Sequence, residues 1–269
     1  MKKQLSIIGC GWLGLPLASF LINEGYKIKG STTSENKLDL LKDHGIEGFV
    51  IRLSEKGVYG NYSNFLEGSE TIIVNIPPGL RRNPNKNHVT ELSHLITAIE
   101  THNIKNVLYV SSTSVFKNDY GFPIITESTV ANATTNNGRQ LIEIEQKLKS
   151  NPNFNTTILR FSGLFGNDRH PANNLSKRKN ISNPEAPINL IHRKDCIQII
   201  NTILKKEFWN LELNASYPKH PDKKTYYSNY CKVKELPLPE FNSLEKSKGK
   251  IIDSTKLVQL LNYSFKHMP

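Results

Sequence analysis

Short apolar segments rich in β-branched residues alternate with longer helical patterns from residue 4 to about residue 160. Strands are predicted at LSIIG (5–9), YKIKG (26–30), GFVIRL (48–53), TIIVNI (71–76), NVLYVSS (106–112) and NTTILRF (155–161), and helices at 13–24, 35–42, 89–101 and 138–149. Unbroken apolar runs such as IIVNI fit strands that are buried on both faces, and their alternation with helices implies right-handed βαβ crossovers. The sequence therefore predicts an α/β fold built on a doubly wound parallel sheet.

The pattern loosens after residue 161, where the segment 163–187 is rich in Asn, Pro and Gly. A long excursion of this kind in a compact domain usually has a function. Strand character returns at INLIH (188–192) and LELNAS (211–216), and helices are predicted at 194–205, from near Asp222, and after Asp253 or Ser254. We expect a first domain over residues 1–162 and a smaller lobe over 163–269, with 188–216 returning to the sheet.

Composition excludes several classes of protein. The chain has 269 residues, of which 37% are hydrophobic, and no stretch approaches the length of a membrane span. The start MKKQLSIIGCG is typical of a first strand and not of a signal peptide, and three widely spaced cysteines have neither pairing nor metal-ligand spacing. These features predict a cytoplasmic protein without a metal site.

The net charge of +11 is concentrated in three clusters, at 80–86, 177–179 and 246–250. The clusters are far apart in sequence and lack interleaved aromatic residues, which disfavours nucleic-acid binding. A phosphate-rich small ligand or a basic solvated surface would each account for them.

A glycine motif, Gly9-Cys10-Gly11-Trp12-Leu13-Gly14, joins the first predicted strand to the first helix. This is the position that a dinucleotide-binding loop requires. Gly9 would allow the tight turn, Gly11 would let the backbone approach a pyrophosphate, and Gly14 would allow close packing of helix on strand. The expected cofactor contacts in this loop are Gly9, Gly11, Trp12, Leu13 and Gly14; a glycine turn without a ligand is the alternative. Cys10 is interpreted as a small residue that fills the loop.

The second strand lacks the acidic residue that NAD-preferring sites usually place at its tip. Ser31, Thr32, Thr33 and Ser34 stand there instead, and Lys37 follows. Hydroxyls and a cation suit a 2′-phosphate, which favours NADP over NAD. The predicted cofactor-binding residues also include Asn75, Ile76, Pro77 and Ser111.

Three further segments resemble the extended short-chain dehydrogenase/reductase group, the NAD-dependent epimerase/dehydratase family. They are YVSSTSVF (109–116), LRFSGLFG (159–166) and NLIHRKDC (189–196), and with the glycine loop they occur in the family's order over about 200 residues. The C-terminal GKIIDSTKLVQLLNYSFKH is similar to that of atypical members related to sugar-nucleotide epimerases. The resemblance implies a Rossmann domain of about seven strands, a nicotinamide cofactor at the carboxyl edge of the sheet, and a smaller C-terminal substrate lobe.

The family's catalytic set is a Ser or Thr at the end of the fifth strand and a Tyr-x-x-x-Lys pair in the next helix. Ser112 matches the first position. In the pair, the lysine favours the tyrosinate, which exchanges a proton with the substrate. Alignment on Glu145 places Asn137 at the tyrosine position and Leu141 at the lysine position, so this chain departs from the family at both.

Other residues were considered as substitutes for the missing pair. A lysine follows a tyrosine at this spacing at Tyr230 and Lys234, which we interpret as a chance match in the tail or as a helical surface pair. Tyr120, in the loop after the Ser112 strand, is a weak candidate for a catalytic acid, and the cluster of Asp168, Arg169 and His170 could also face a pocket. His192 is expected to bond backbone at a strand end.

Two functions remain open from the sequence. The first is an NAD(P)-dependent oxidoreductase or epimerase that acts on a small molecule, such as a sugar nucleotide, without the usual catalytic pair. The second is an inactive NADP-binding module that regulates or binds a partner. A nucleic-acid binder is a weaker third alternative, and the chain could form an oligomer in any of these roles.

Overall fold

Strands and helices alternate along the chain in the computed structural model, which describes residues 3–269. The strands are β1 (Gln4–Ile8), β2 (Lys27–Thr32), β3 (Glu47–Val50), β4 (Arg52–Ser54), β5 (Gly57–Tyr59), β6 (Thr71–Val74), β7 (Asn106–Ser112), β8 (Ile124–Ile125), β9 (Asn155–Phe161), β10 (Gly163–Phe165), β11 (Leu190–His192), β12 (Glu212–Ala215) and β13 (Ile251–Ile252). The helices are α1 (Gly14–Asn23), α2 (Leu38–Asp43), α3 (Tyr62–Leu66), α4 (His88–Thr101), α5 (Asn136–Lys149), α6 (Pro171–Leu175), α7 (Arg193–Lys206), α8 (Lys223–Val233) and α9 (Thr255–Leu261).

Seven strands form one parallel sheet in the order β12-β9-β7-β6-β1-β2-β3. The strand order reverses between β1 and β6, because β1 pairs with β2 on one side and with β6 on the other. In open α/β sheets, ligands bind outside the carboxyl ends of the strands at such a reversal. The predicted doubly wound Rossmann fold is confirmed, and its switch point lies between Gly9 and Asn75.

Two predicted elements differ in detail. GFVIRL was expected to form one strand, but the chain leaves the sheet after Val50, and β4 then pairs antiparallel with β5. A side chain at Gly60 would lie 2.0 Å from the Val50 carbonyl oxygen, so the hairpin depends on glycine for this close return. INLIH also supplies a shorter strand, β11, which pairs with β10 and not with the large sheet.

The chain divides into two compact units. The first comprises the chain up to Ser112 together with Thr134–Arg160 and Ile200–Glu212, and the second comprises Thr113–Ala133, Phe161–Ile199 and Leu213–Pro269. The second unit has its own apolar cluster, in which Phe165, Ile188 and Leu190 are buried with residues of α6 and α8. Among residues 3–269, helices long and apolar enough to cross a membrane are absent.

A buried ion pair fixes α5 within the first unit. Arg160 on β9 donates to both carboxylate oxygens of Glu145 on α5, with its Nη2 2.7 Å from Oε2 and its Nε 3.0 Å from Oε1. Ser111 on β7 donates to Glu145 Oε1 at 2.5 Å, and Arg160 Nη2 lies 2.6 Å from Glu212 Oε2 at the start of β12. One carboxylate therefore joins α5 to two strands, and the arginine extends this network to a third.

The charges in this network are balanced. Lys149 forms an ion pair with Glu212, so two cations face two carboxylates. Burial of Glu212 opposes ionisation, but Lys149 and Arg160 outweigh it and keep the pKa of the Glu212 carboxyl below its usual value. A buried pair of this kind is costly to break, since removing one partner leaves an uncompensated charge.

Replacement of Glu145 by alanine should destabilise the protein by about 3–5 kcal/mol, because Arg160 would remain buried without its main partner. Urea unfolding followed by circular dichroism measures this change. Glu70→Ala is the matched control: it removes the carboxylate of an exposed ion pair with Lys105 and should cost at most about 1 kcal/mol. Equal losses of stability in the two variants would contradict the role assigned to Glu145.

Candidate functional site

The glycine loop packs tightly against the end of β6, the strand that pairs with β1 in the sheet. Gly9 has a φ of +101°, and a Cβ there would lie 2.4 Å from the Asn75 carbonyl oxygen. A Cβ at Gly14 would lie 2.2 Å from the Gly9 carbonyl oxygen. Asn75 completes the contact, since its Nδ2 donates to that Gly9 oxygen at 3.0 Å. These two glycines are required by the protein's own backbone.

Gly11 differs from its neighbours in the loop. It is exposed, and a Cβ built on it meets no atom within 4 Å. The packing of the chain therefore gives no reason for glycine at this position. Close approach of a ligand's phosphate to the backbone would give one.

The first turn of α1 has no side-chain cap. Its N-cap residue is Leu13, whose buried side chain offers no acceptor, and the first turn contains no acidic residue. By contrast, Asn87 caps α4 and Thr135 caps α5 through side-chain oxygens. The first N–H groups of a helix lack partners within the helix and carry its positive dipole end. An uncapped helix start beside an open glycine is thus a suitable anion site.

Two of the four predicted hydroxyls at the end of β2 bond to the protein itself. Ser31 is buried, and its Oγ accepts a hydrogen bond from the Gly9 N–H at 3.0 Å. The hydroxyl of Thr32, also buried, accepts from the Ser34 N–H at 3.3 Å. Thr33 is exposed and Ser34 is half-buried. Ser31 therefore supports the shape of the glycine loop, while Thr33 and Ser34 lie at the surface.

A cation that the sequence analysis missed lies beside the same strand end. Arg52 Nε donates to the Thr33 carbonyl oxygen at 3.0 Å, and the side chain is exposed. Lys37, the cation predicted from the sequence, is exposed in the 3₁₀ turn Glu35–Lys37. The sequence pattern does not indicate Arg52 as a site residue, because GFVIRL has the pattern of one continuous strand. In the structure the chain turns at Ile51, and the Arg52 side chain reaches Thr33 just after β2.

The other predicted cofactor contacts follow or end the next strands of the sheet. Ile76 is half-buried and Pro77 is exposed after β6. Ser111 at the end of β7 is buried, with its hydroxyl donated to Glu145, whereas Ser112 is half-buried. Successive side chains of a strand point to opposite faces, so the two serines face different sides of the sheet.

The two positions where the resemblance implies a catalytic pair lie in the first turns of α5. Asn137 is half-buried and Leu141 is 3% exposed. An amide does not titrate near neutrality, and the Leu141 side chain contributes to the apolar core. The helix face therefore brings no tyrosine or lysine to these positions.

A second group that the sequence analysis missed adjoins α5. The imidazole of His88 is fully buried, with Nδ1 2.9 Å from Glu91 Oε2, and Lys86 Nζ lies 2.7 Å from the same oxygen. Gln140 accepts from the His88 backbone N–H at 2.7 Å, which holds the start of α4 against α5. Burial lowers the pKa of His88 and Glu91 opposes this effect. The signal in the sequence is His-x-x-Glu at a predicted helix start.

Cys10 fills space beside β2, as its position between two glycines predicts. A Cβ at Gly30 would lie 2.8 Å from its sulfur. Burial raises the pKa of the Cys10 thiol to about 12, although a hydrogen bond with the Ser31 backbone lowers it. The thiol is thus protonated at neutral pH and lacks the thiolate character of a reactive cysteine.

The remaining candidates belong to the second unit. His170 accepts from the Ala172 N–H at 3.2 Å, stacks on Tyr230 with ring centroids 3.7 Å apart, and has a pKa that burial lowers to about 4. Asp168 forms an ion pair with Arg193 at 3.1 Å. Tyr120 is half exposed. These contacts give His170 and Asp168 structural partners within their own unit.

A cluster near the C-terminus has the composition of a metal site. Ligand atoms of His192, Asp195 and His267 lie within 4.8 Å of one another. The carboxylate of Asp195, however, already accepts from the Tyr263 hydroxyl at 2.6 Å and from the Lys266 N–H at 3.0 Å. His192 Nδ1 accepts from the backbone N–H two residues later, at 3.2 Å, as expected for a histidine that bonds backbone at a strand end. The cluster therefore serves to hold the C-terminal segment.

Comparison with known proteins agrees with the fold. No family model matches the chain. The chain is 29% identical over 267 residues to Protein YeeZ of Escherichia coli K12, which covers 98% of this chain and 96% of that protein. The structure of MoeE5 in complex with UDP-glucuronic acid and NAD superposes with a TM-score of 0.79 at 15% identity, covering 98% of this chain and 94% of MoeE5.

A second solved structure, the UDP-glucose 4-epimerase of Thermotoga maritima with UDP-glucose, gives a TM-score of 0.78 at 14% identity, and covers 98% of this chain and 94% of the epimerase. At these identities the likeness establishes the fold. The chain has the Rossmann architecture of these two solved structures.

Gly11→Ala should leave the thermal unfolding midpoint nearly unchanged, because the added methyl group meets no protein atom, and should weaken dinucleotide binding by about tenfold or more. Gly14→Ala should instead destabilise the protein, because its Cβ would overlap the Gly9 carbonyl. Thermal melts and calorimetric titration with NADPH measure the two effects. Unchanged NADPH affinity in a folded Gly11→Ala variant would exclude this loop as the binding site.

Proposed function

We propose that the chain binds NADP at the glycine loop and acts as an oxidoreductase or epimerase on a sugar nucleotide. The observation that carries this proposal is the uncapped first turn of α1 beside the open space at Gly11. Together they offer a positive dipole end that carries no side-chain cap and room for a pyrophosphate. Structural neighbours that bind NAD and sugar nucleotides support the same interpretation.

The preference for NADP rests on the charges around the end of β2. The Arg52 guanidinium is anchored to the Thr33 carbonyl, and Lys37 is exposed nearby in sequence. The tip of the strand has no carboxylate to accept hydrogen bonds from the ribose hydroxyls. A planar guanidinium is well suited to bind a phosphate with two hydrogen bonds. The MoeE5 complex contains NAD, so this chain would differ from MoeE5 at the 2′ position.

Catalysis would proceed without the usual tyrosine and lysine. A bound nicotinamide would supply hydride transfer to or from a carbon of the substrate, and the proton on the attached oxygen would be exchanged with solvent water. The half-buried Ser112 would donate a hydrogen bond to the oxygen on that carbon and so orient it. Asn137 contributes hydrogen bonds without exchanging a proton, and Leu141 excludes water from the helix face.

A second candidate function is a binding module that uses NADP for regulation or for contact with a partner. The observation that favours it is the burial of Leu141 in the apolar core. A catalytic lysine at this position would need a charged partner, so the site as built suits binding without catalysis. In this case the cofactor would bind tightly and turn over no substrate.

Arg52→Gln should raise the dissociation constant of NADPH about tenfold and leave that of NADH nearly unchanged, because only NADPH carries the 2′-phosphate. Fluorescence titration with each cofactor gives both constants. Lys56→Gln is the matched control, since it removes one exposed cation from the same β4–β5 hairpin. A parallel loss of NADH affinity in Arg52→Gln, or an equal effect of Lys56→Gln, would argue against a 2′-phosphate site.

Turnover distinguishes the two candidate functions. The protein loaded with NADP or NADPH is mixed with a panel of sugar nucleotides, and absorbance at the nicotinamide band and product masses are followed. An active enzyme should lose about 10²-fold or more of its rate in Ser112→Ala while NADPH affinity is retained. Tight NADPH binding with no turnover of the panel would favour the regulatory module. Failure of both nicotinamide cofactors to bind would exclude both functions.

A further inference from the structure

The basic cluster near the C-terminus forms an ordered row on the second unit. In the sequence Lys246-Ser247-Lys248-Gly249-Lys250, burial alternates with each residue: Lys246 and Lys248 are exposed, Lys250 is half-buried, and Ser247 and Gly249 are buried. Alternation with a period of two is typical of an extended segment with one face inward. The three lysines therefore lie on the same side of the segment, with Lys246 and Lys248 exposed and Lys250 half-buried, and we call them the lysine row.

The backbone of this segment is fixed by its neighbours within the second unit. Gly249 and Asp119 exchange two backbone hydrogen bonds, of 2.9 and 3.0 Å. The Ser247 hydroxyl accepts from the Glu185 N–H at 3.1 Å, and the Lys248 N–H donates to Asn183 Oδ1 at 2.8 Å. A Cβ at Gly249 would lie 2.9 Å from Pro187, so a larger residue could not occupy this position without movement. The spacing of the lysines is thus built into the fold.

An aromatic ring organises two of the cations. Lys248 Nζ lies 4.6 Å and Lys246 Nζ 5.3 Å from the centroid of the Tyr120 ring. Among residues 3–269, neither ammonium forms an ion pair with a carboxylate. The nearby acidic residue, Asp119, is paired with Lys117 at 2.7 Å. The single Asp119 carboxylate, whose pKa Lys117 and also Lys248 lower, is thus shared between lysines and does not balance the charge of the row.

Lys250 extends the row toward the interior of the unit. Its ammonium donates to the Phe116 carbonyl oxygen, and burial lowers the pKa of Lys250 to about 8. A half-buried ammonium without a carboxylate partner is destabilised, and an anion bound beside it would restore the favourable charge balance. By comparison, Lys179 in the excursion of residues 163–187 is already paired with Glu240 at 3.2 Å.

We propose that the lysine row, with Tyr120, binds the diphosphate group of a small-molecule ligand. The favoured source is a sugar nucleotide, an identification that rests on the proposed function, and free pyrophosphate is the other source of the same chemistry. Two cations at one ring, with a third lysine two residues further along the same segment, suit a compact, multiply charged anion, whereas a nucleic acid would need a longer basic surface. Tyr120 thereby serves in holding the ligand and not as the catalytic acid considered from the sequence.

Calorimetric titration of the full chain with UDP-glucose and, separately, with pyrophosphate tests the proposal, both without nicotinamide cofactor. The double variant Lys246→Gln/Lys248→Gln should bind either probe about 10- to 100-fold more weakly and retain the wild-type melting temperature, because both side chains are exposed. Tighter binding of UDP-glucose than of pyrophosphate identifies a sugar nucleotide as the source, and the reverse order identifies free diphosphate. Both orders support a diphosphate site.

Two matched variants separate this site from other cationic surfaces. Lys224→Gln/Lys232→Gln removes the same charge from exposed positions of α8 in the same unit and should leave probe binding within about twofold of wild type. Gly11→Ala should reduce NADPH binding but not pyrophosphate binding. The lysine-row variant should reduce pyrophosphate binding but not NADPH binding. The proposed NADP site and the proposed diphosphate site are therefore tested independently.

Three results would overturn the proposal. The first is the absence of binding of both probes to the wild-type chain. The second is equal weakening by the row variant and by the α8 variant, which would indicate a nonspecific charge effect. The third is selective, row-dependent binding of a duplex or single-stranded oligonucleotide with no binding of pyrophosphate, which would identify the row as a nucleic-acid surface.

Discussion

The ion pair between Arg160 and Glu145 decides where α5 lies in the first unit. A charged carboxylate enters the interior only with partners, and here Ser111 and Arg160 supply them from two neighbouring strands. The helix is consequently held at one rotation about its axis, with Leu141 toward the core. Because Glu145 and Leu141 are one helical turn apart, the same constraint that anchors the helix also fixes the environment of Leu141.

The glycine loop is likewise held by a few hydrogen bonds from neighbouring strands. The Ser31 hydroxyl accepts from the Gly9 N–H, and the Asn75 side-chain amide donates to the Gly9 carbonyl. Residues from the ends of two strands thus fix one residue of the turn. The backbone of the loop is thereby shaped before any ligand arrives, which lowers the conformational cost of binding. Within the loop, Gly11 faces open space, and the adjoining first turn of α1 has no side-chain cap. A preorganised cradle of this kind suits a pyrophosphate, and the lysine row offers a second, separately fixed place for a diphosphate.

Much of the fold follows from local pattern. Buried parallel strands are continuous apolar runs, so five of the six strands expected before residue 162, and the four helices expected there, were predicted within a few residues. The single-strand interpretation of GFVIRL was wrong, because the turn after Val50 depends on the return of Gly60 and not on the apolar pattern. The same turn explains why Arg52 was missed, since its distance to Thr33 depends on a pairing that no linear pattern shows.

The sequence by itself determined the α/β class, the strand-to-helix position of the glycine loop and the absence of tyrosine and lysine at positions 137 and 141, because these depend on residue type and short spacing. Tertiary structure decided which side chains are already occupied. Ser31 and Ser111 carry hydroxyls suited to a ligand, yet both bond to the protein, whereas the side chains of Arg52, Lys246 and Lys248 are exposed. The physical reason is that the partners come from other strands, many residues away in the chain, and only the folded sheet brings them within hydrogen-bonding distance.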